Sequence, residues 1–139
     1  MTDRNGRIRL VIFTPAELDY LATQHIGRLA TVSPDGQVQN NPTNFQVDAD
    51  TGIVSIRGGA LETSKKFRNI QRGSTVSFVV DDLATIDPWA PRGIEIRGTA
   101  VAATDQEPHR PGASRGIIRI TPTRIVSWNL DGPRASRTV

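Results

Sequence analysis

Residues 28–47 read RLATVSPDGQVQNNPTNFQV, and this stretch decides the fold class. Residues 28–33 alternate in polarity with a period of two, residues 34–36 form a Pro-Asp-Gly turn signal, and residues 37–47 resume the alternation. The stretch therefore predicts a β-hairpin. Pro42 cannot donate a ladder hydrogen bond, so we expect a bend at an edge strand or a bulge there.

The segments on either side of this hairpin predict a helix before it and a strand after it. Thr14-Pro15-Ala16-Glu17 has the form of a capping box with proline at the first helical position, followed by apolar residues at helical spacing. After the hairpin, residues 48–52 predict a turn and residues 53–57 a third strand, before Gly58-Gly59 loosens the backbone.

The second half of the chain predicts three further strands. Residues 75–80 and 94–102 are rich in β-branched or alternating apolar residues and predict central strands, whereas Asp81-Asp82 predicts a turn. A last strand or pair of strands covers residues 116–130, with an interruption at Pro122. Six strands with short links and two small helices suggest a closed antiparallel barrel, because closure removes exposed edges. We expect one domain over residues 1–139, with an N-terminal arm at 1–12 and a mobile loop at 105–115.

Lys65 and Lys66, the only lysines of the chain, follow Thr63 and Ser64 where a short helix is predicted to begin. Phe67 and a following isoleucine give that helix one apolar face, and a glycine ends it. A helix start carries the positive end of the backbone dipole, so each ammonium there costs a few tenths to about 1 kcal/mol. A bound anion reverses that sign, and the alternative is that both lysines extend into solvent.

Composition excludes several classes of function. The chain has no cysteine, no Gly-x-Ser-x-Gly motif and two isolated histidines, His25 and His109, so a nucleophilic hydrolase or a metal site is not expected. No apolar run is long enough to span a membrane, and we expect a cytoplasmic protein with no membrane partner. Six arginines against one aspartate in residues 108–139 make the carboxyl end basic. Few aromatics accompany this charge, so nucleic acid is an unlikely partner.

Four segments in order resemble the pyridoxamine 5′-phosphate oxidase-like split-barrel family, particularly its deazaflavin-dependent branch, which uses coenzyme F420. They are Leu29-Ala30-Thr31 with Asp35-Gly36, then residues 41–45 (NPTNF), residues 63–70 (TSKKFRNI) and residues 95–98 (EIRG). The resemblance covers about residues 15–130. It implies a mainly β fold, a six-stranded antiparallel split β-barrel that forms a homodimer and binds a flavin-like cofactor in each of two grooves at the dimer interface.

The resemblance also implies which residues bind the cofactor. Its phosphate would lie between the third strand and the lysine helix, with Lys66 in better register than Lys65, and the second strand would lie along its ring. An aromatic near the end of the last strand would come across the dimer interface, although core packing is an alternative for a lone tryptophan. The cofactor-binding residues predicted in this way are Asn41, Thr43, Arg57, Thr63, Ser64, Lys65, Lys66, Asn69 and Trp128.

Three functions are compatible with this resemblance. The first is an F420-dependent oxidoreductase that passes hydride between the deazaflavin and a small organic substrate; no catalytic side chain is predicted, because the cofactor supplies the chemistry. The second is an FMN-dependent oxidoreductase of the same fold, and the third is a flavin or haem carrier without turnover. The resemblance and the arginine-rich composition favour F420, whose acidic tail would suit Lys65, Arg68, Arg72 and the basic carboxyl end.

Overall fold

The computed structural model describes Gly6, residues 11–108 and residues 110–139. Most of the predicted N-terminal arm, and His109, lie outside the described residues. Eight antiparallel strands and two α-helices follow one another in the order α1 (Pro15–Ala22), β1 (Gly27–Val32), β2 (Val38–Thr43), β3 (Gln46–Val47), β4 (Val54–Ile56), α2 (Lys65–Gln71), β5 (Val76–Thr85), β6 (Ala90–Ala103), β7 (Ile117–Trp128) and β8 (Ala135–Thr138). A single 3₁₀ turn, Leu61–Thr63, precedes α2.

The strands form one sheet in the order β2-β1-β5-β6-β7-β4-β3, with β8 also paired to β7. The two ends of this order, β2 and β3, are separated in the chain by Asn44 and Phe45 alone. The sheet must therefore curl until its edges meet, which produces a barrel split between β2 and β3. The predicted mainly β, antiparallel split barrel is confirmed.

Two of the eight strands account for the difference from the six that were expected. The predicted strand over residues 37–47 is divided at Asn44 and Phe45 into β2 and β3, because Phe45 turns inward and packs edge-on against Phe78 with ring centroids 5.4 Å apart. The other additional strand, β8, was not predicted. Pro42 lies in β2 at the sheet edge, as expected for a residue without a backbone donor.

Two local predictions for the long strands were wrong. Pro122 does not interrupt β7; Gly98 pairs with Pro122 and Arg97 with Arg124, so one additional residue bulges while the strand continues. Asp81-Asp82 is not a turn but lies within β5, which extends to Thr85. These aspartates remain in the strand because each forms an ion pair across the sheet surface.

The core is the inner face of the curled sheet, closed by the two helices. Alternate residues of the central strands are fully buried, among them Leu29, Phe78, Ile94, Ile96, Ile118 and Ile120. The ring of Phe78 lies over Gly27, where a Cβ would come within 2.2 Å of it, so glycine is required at that position. Phe67 and Ile70 of α2 complete the core, which confirms the apolar face predicted for the lysine helix.

An ion pair joins the two ends of the described chain. The capping box predicted at Thr14 is present, and its Glu17 is also bound by both terminal nitrogens of Arg137 in β8, at 2.9 and 2.6 Å. Burial by itself would raise the pKa of Glu17, but hydrogen bonds from Arg137 and from the Thr14 backbone outweigh it and hold that pKa below its usual value. The carboxylate therefore stays charged and fastens β8 to α1.

Candidate functional site

A groove opens where the ends of β2 and β4 meet the start of α2. The Asn44 side chain donates a hydrogen bond to the Arg57 carbonyl at 2.8 Å, so the split between β2 and β3 is tied to the end of β4. Gly58 and Gly59 then carry the chain past the groove to Ser64, the N-cap of α2. The groove has a volume of about 360 Å³, and its lining includes Thr43, Asn44, Arg57, Gly59, Ser64 and Lys66.

A second cavity adjoins this groove. It has a volume of about 250 Å³ and is lined by Asn44, Gln46, Ser55 and Arg57, so two of its residues also line the first groove. The second cavity lies below, and the groove lies near the lower limit of, the roughly 300–1,000 Å³ that complete small-molecule sites occupy. One protomer therefore provides a cradle for part of a cofactor-sized ligand rather than an enclosed pocket.

The groove is electropositive. Arg57 and Lys66 are its charged lining residues, and no carboxylate lines it in the part of the chain that the structure describes. Two cations that face the same small volume repel each other, and a bound anion converts that repulsion into attraction. The lining therefore fits a phosphate or carboxylate group.

Two polar atoms at the groove are buried without a hydrogen-bond partner. They are the hydroxyl oxygen of Thr43 and the Nε of Arg57. The Arg57 guanidinium is otherwise engaged through Nη2, which donates to the Glu107 carbonyl at 2.7 Å. Buried polar groups are nearly always paired, so an unpaired donor and an unpaired hydroxyl among the residues of one groove point to a missing polar ligand. These two atoms are the strongest sign in the described structure that the groove binds something.

The two lysines of α2 lie on different sides of the helix. Lys66 is half-buried and lines the groove, whereas Lys65 is exposed. Lys65 lies towards the β1–β2 turn, where the pKa of Asp35 is lowered mainly by a hydrogen bond from Ser33 and slightly by the Lys65 charge. Lys66 and not Lys65 therefore faces the groove, in the register that the sequence led us to expect.

The two hydroxyls before α2 are already used locally. The Ser64 hydroxyl donates to the Leu61 carbonyl at 2.5 Å and accepts from the Phe67 amide at 3.4 Å. The exposed Thr63 donates its hydroxyl proton to the Ala60 carbonyl at 2.9 Å. A direct bond from either hydroxyl to a ligand requires that its proton turn away from the backbone, so the cationic side chains dominate the groove.

Five of the nine predicted site residues do not line the groove: Thr63 and Lys65 at the start of α2, and Asn41, Asn69 and Trp128 farther away. Asn41 is half-buried in β2, on the same strand face as Thr43 and opposite Leu29. Asn69 is buried and donates to the Thr31 hydroxyl at 3.0 Å, while its own amide oxygen has no partner. Their proposed roles as cofactor ligands stay predictions.

Trp128 is at the far end of the sheet from the groove. It is half-buried and pairs with Gly93, over which its indole packs. Ile56 pairs with Ile118, ten residues before Trp128 in the same strand, and strands rise about 3.3 Å per residue. The tryptophan of one protomer is thus about 30 Å along the strand from the groove of that same protomer.

Three polar residues of the groove and the adjoining cavity were missed as ligands by the sequence reasoning: Asn44, Gln46 and Ser55. Asn44 lies within the segment NPTNF, directly at the split between β2 and β3. Gln46 and Ser55 are cross-strand partners in β3 and β4, and their position depends on the register between those strands. Only the folded sheet brings them beside Arg57.

A separate polar cluster fastens α1 to the sheet. The Tyr20 hydroxyl donates to Asp82 at 2.8 Å, and the Arg92 guanidinium binds the same carboxylate at 2.8 and 3.0 Å. Burial and the bond to Asp82 raise the pKa of Tyr20, and the bonds from Arg92 lower the pKa of Asp82. The phenol thus stays neutral and the carboxylate charged, and all three groups serve to hold α1.

The described residues show neither a metal site nor a membrane-spanning helix. No three of their His, Cys, Asp or Glu side chains are placed to hold a metal ion. None of their helices is long and apolar enough to cross a membrane.

Comparison with known proteins places this groove in context. Residues 13–129 match the family described as pyridoxamine 5′-phosphate oxidase. The chain is 42% identical, over 121 residues, to the 5a,11a-dehydrotetracycline/5a,11a-dehydrooxytetracycline reductase of Streptomyces rimosus, and the match covers 86% of this chain and 85% of the reductase.

Two solved structures from Mycobacterium smegmatis share the fold. The FAD binding protein has a TM-score of 0.61 and 22% identity, and the match covers 91% of this chain and 98% of that one. The heme binding protein has a TM-score of 0.64 and 16% identity, and the match covers 93% of this chain but 60% of the other. At these identities the likeness extends to the split barrel alone.

Proposed function

The chain belongs to the pyridoxamine 5′-phosphate oxidase family, and on that premise we propose that it is an oxidoreductase that uses coenzyme F420 and a small organic substrate. The 42% identical relative is named as a reductase of dehydrotetracyclines, which supports redox chemistry on an unsaturated organic molecule. The resemblance of the segments around residues 41–45 and 63–70 to the deazaflavin-dependent branch supports F420 as the cofactor.

The observation that carries this proposal is the pair of unpartnered buried atoms, the Arg57 Nε and the Thr43 hydroxyl, at a groove that also presents Lys66. A cofactor phosphate placed there would accept hydrogen bonds from both atoms and would lie next to the Lys66 ammonium. Charge-assisted bonds of this type are about twice as strong as neutral ones. The residues present therefore fit a phosphate-bearing cofactor.

The other residues of the chain bind and orient this cofactor in the proposed arrangement. The 2.8 Å bond from Asn44 holds the backbone of Arg57, so the guanidinium starts from a fixed position. Asn41 lies on the same face of β2 as Thr43, two residues farther from the phosphate end, where it would lie along the ring. Arg68 and Arg72 are exposed on α2, where an acidic cofactor tail would meet them and Lys65. The bound deazaflavin itself supplies hydride transfer.

We further propose that the functional unit is a homodimer. The two adjoining cavities, at about 360 and 250 Å³, lie at or below the small end of the roughly 300–1,000 Å³ range for ligand sites, and Trp128 lies about 30 Å along the sheet from the groove of its own protomer. A second copy would enclose the cofactor, and the partner subunit's Trp128 would then cover it. Aromatic side chains suit that position because their large faces exclude water.

FMN is the second candidate cofactor, because the same atoms would bind its phosphate. FMN lacks an acidic tail, so it would use Arg57, Thr43 and Lys66 but not the exposed arginines of α2. A flavin or haem carrier without turnover is the remaining alternative. Of the two histidines that could ligate haem iron, His25 is exposed beyond the end of α1 and His109 lies outside the described residues.

The test is a parallel titration of the purified protein with F420, FMN and haem. The proposal expects F420 to bind most tightly, with an affinity that falls as salt rises, because exposed charges in the tail contacts are screened. The reduced cofactor is then mixed with 5a,11a-dehydrotetracycline, the substrate class of the relative, and its reoxidation is followed by absorbance. Tighter binding of FMN or haem would overturn the assignment of F420, and binding without reoxidation by any substrate tried would favour a carrier.

A further inference from the structure

The loop between β6 and β7, residues 104–116, is fastened to the wall of the groove. On one side, the Arg57 guanidinium donates to the Glu107 carbonyl at 2.7 Å. On the other side, the Ser114 hydroxyl donates to the Glu62 carboxylate at 2.9 Å, just before α2. The middle of the loop is therefore held next to the groove by two contacts that involve groove-forming segments.

A tight turn fixes the backbone between these two contacts. The Ala113 amide donates to the Arg110 carbonyl at 3.1 Å, and Pro111 and Gly112 occupy the two central positions. Gly112 has a φ of +81°, a conformation that glycine adopts without strain, and proline followed by such a glycine is the signature of a type II turn. Arg110 thus begins a defined turn.

The Arg110 side chain extends to the groove. Its Nη2 would lie 3.7 Å from a Cβ built on Gly59, a lining residue, and no other atom comes within 4 Å of that point. Arg110 is exposed and forms no ion pair with the described residues, whereas the other two arginines around this loop, Arg115 and Arg119, face Glu107 at 3.9 Å and Asp105 at 3.2 Å. Of these three arginines, Arg110 is the one beside the groove, and it is the one that has no carboxylate partner among the described residues.

We propose that Arg110 is a further binding residue for the cofactor, a third cation that joins Arg57 and Lys66 around its phosphate. This inference rests on the function proposed above. A guanidinium presents a planar fork of donors that matches two phosphate oxygens, and the glycine beneath it leaves open space in which the oxyanion can lie. Because Arg57 also holds the loop through Glu107, two of the three cations are mechanically linked.

The test compares Arg110→Ala with Arg115→Ala, a change of equal charge in the same loop, by fluorescence titration. Three ligands are used: F420, FMN and the deazaflavin riboside that lacks phosphate and tail. Arg110→Ala is expected to weaken binding of both phosphate-bearing ligands about ten- to a hundredfold, the range for a lost charge-assisted contact, and to leave the riboside unchanged. Arg115→Ala is expected to change each affinity less than about twofold, because its exposed pair is weak.

Thermal denaturation of each variant checks that the fold is intact, and Arg110→Lys is expected to recover part of the affinity because it keeps the charge without the fork. Equal losses for Arg110→Ala and Arg115→Ala, or a loss for the riboside, would overturn the phosphate contact. A loss of affinity for F420 alone would mean that Arg110 contacts the acidic tail and not the phosphate, and this would also overturn the proposal. If the wild-type chain binds none of the cofactors, the proposed function fails. The role of Arg110 is then tested separately by calorimetry with inorganic pyrophosphate. The wild-type chain must bind pyrophosphate, and Arg110→Ala must abolish that binding.

Discussion

Replacing Lys66 by alanine separates a built anion site from a generally basic surface. Lys66 is half-buried and lines the groove beside Arg57, while its neighbour Lys65 is exposed and lies towards Asp35. The two lysines carry the same charge on the same first turn of α2, so Lys65→Ala is a matched control. We expect Lys66→Ala to weaken binding of FMN, which has the phosphate but no acidic tail, and Lys65→Ala to have little effect on it.

The expected magnitudes follow from the two environments. A charge-assisted hydrogen bond to phosphate contributes about 1.5–3 kcal/mol, which corresponds to a rise in the dissociation constant of about 10- to 150-fold for Lys66→Ala. An exposed charge is screened and contributes less than about 1 kcal/mol, or about fivefold, for Lys65→Ala. Without ligand, Lys66→Ala removes a cation that repels Arg57, so the free energy of unfolding should not fall.

The assay is a fluorescence titration of each variant at low and at physiological ionic strength, with urea unfolding as the check on the fold. Binding by Lys66→Ala should also lose part of its dependence on salt, since one charge contact is gone. Equal losses of affinity for the two variants would mean that the overall field, and not the groove, attracts the cofactor. Wild-type affinity for Lys66→Ala would refute the site.

Four further predictions concern the stability of the fold and the groove wall. Arg137→Ala should lower the free energy of unfolding by about 2–3 kcal/mol. This is less than the full cost of breaking a buried ion pair, because the arginine is about a third exposed. As a control, Arg28→Ala, which breaks an exposed pair, should lower the free energy of unfolding by less than about 1 kcal/mol. Because folding lowers the pKa of Glu17, the stability that the Glu17–Arg137 pair contributes should be fully present above the ordinary pKa of 4.5 and should be lost as the pH falls through the folded pKa. Urea unfolding across a pH series measures this, and a loss of stability that begins at higher pH would contradict it. Thr43→Val should leave the stability of the ligand-free protein unchanged or raise it by up to about 1 kcal/mol, because an unpartnered hydroxyl is removed, yet weaken cofactor binding about two- to tenfold; a loss of stability in the absence of ligand would show that the hydroxyl already has a partner. Gly98→Ala should cost about 3 kcal/mol, since a Cβ would lie 2.2 Å from a backbone carbonyl oxygen across the β7 bulge, and a urea midpoint close to wild type would show that the bulge can relax.

Local signals were sufficient for the elements whose boundaries depend on nearby residues. The hairpin was predictable because a turn signal, with Gly36 at a φ of +90°, separates two runs of period two. The split at Asn44 and Phe45 was not predictable, because it requires Phe45 to find the Phe78 ring on a distant strand. Strand β8 is short and polar, and it depends on the bond from Arg137 to Glu17, 120 positions away in the chain. Neither feature leaves a periodic pattern.

The spacing of residues along α2 is enough to predict which of its two lysines faces the groove. Successive residues of a helix turn by about 100°, so the burial of Phe67 and Ile70 determines which lysine faces the groove, and the sequence alone could favour Lys66. The helix has only seven residues, however, and the N-cap hydroxyl of Ser64 is occupied by Leu61 and Phe67. The affinity for an anion therefore depends less on the helix dipole than the sequence implied.

The structure shows that Arg57 has a buried donor without a hydrogen-bond acceptor. The Arg57 side chain is divided between the Glu107 carbonyl, 50 positions away, and a buried Nε without a partner, an arrangement that no local pattern could predict. One phosphate in the groove would satisfy that Nε, accept from the Thr43 hydroxyl and neutralise the repulsion between Arg57 and Lys66. These gains come from the same atoms at the same time, so the three contacts should be cooperative, and removal of any one should weaken the other two.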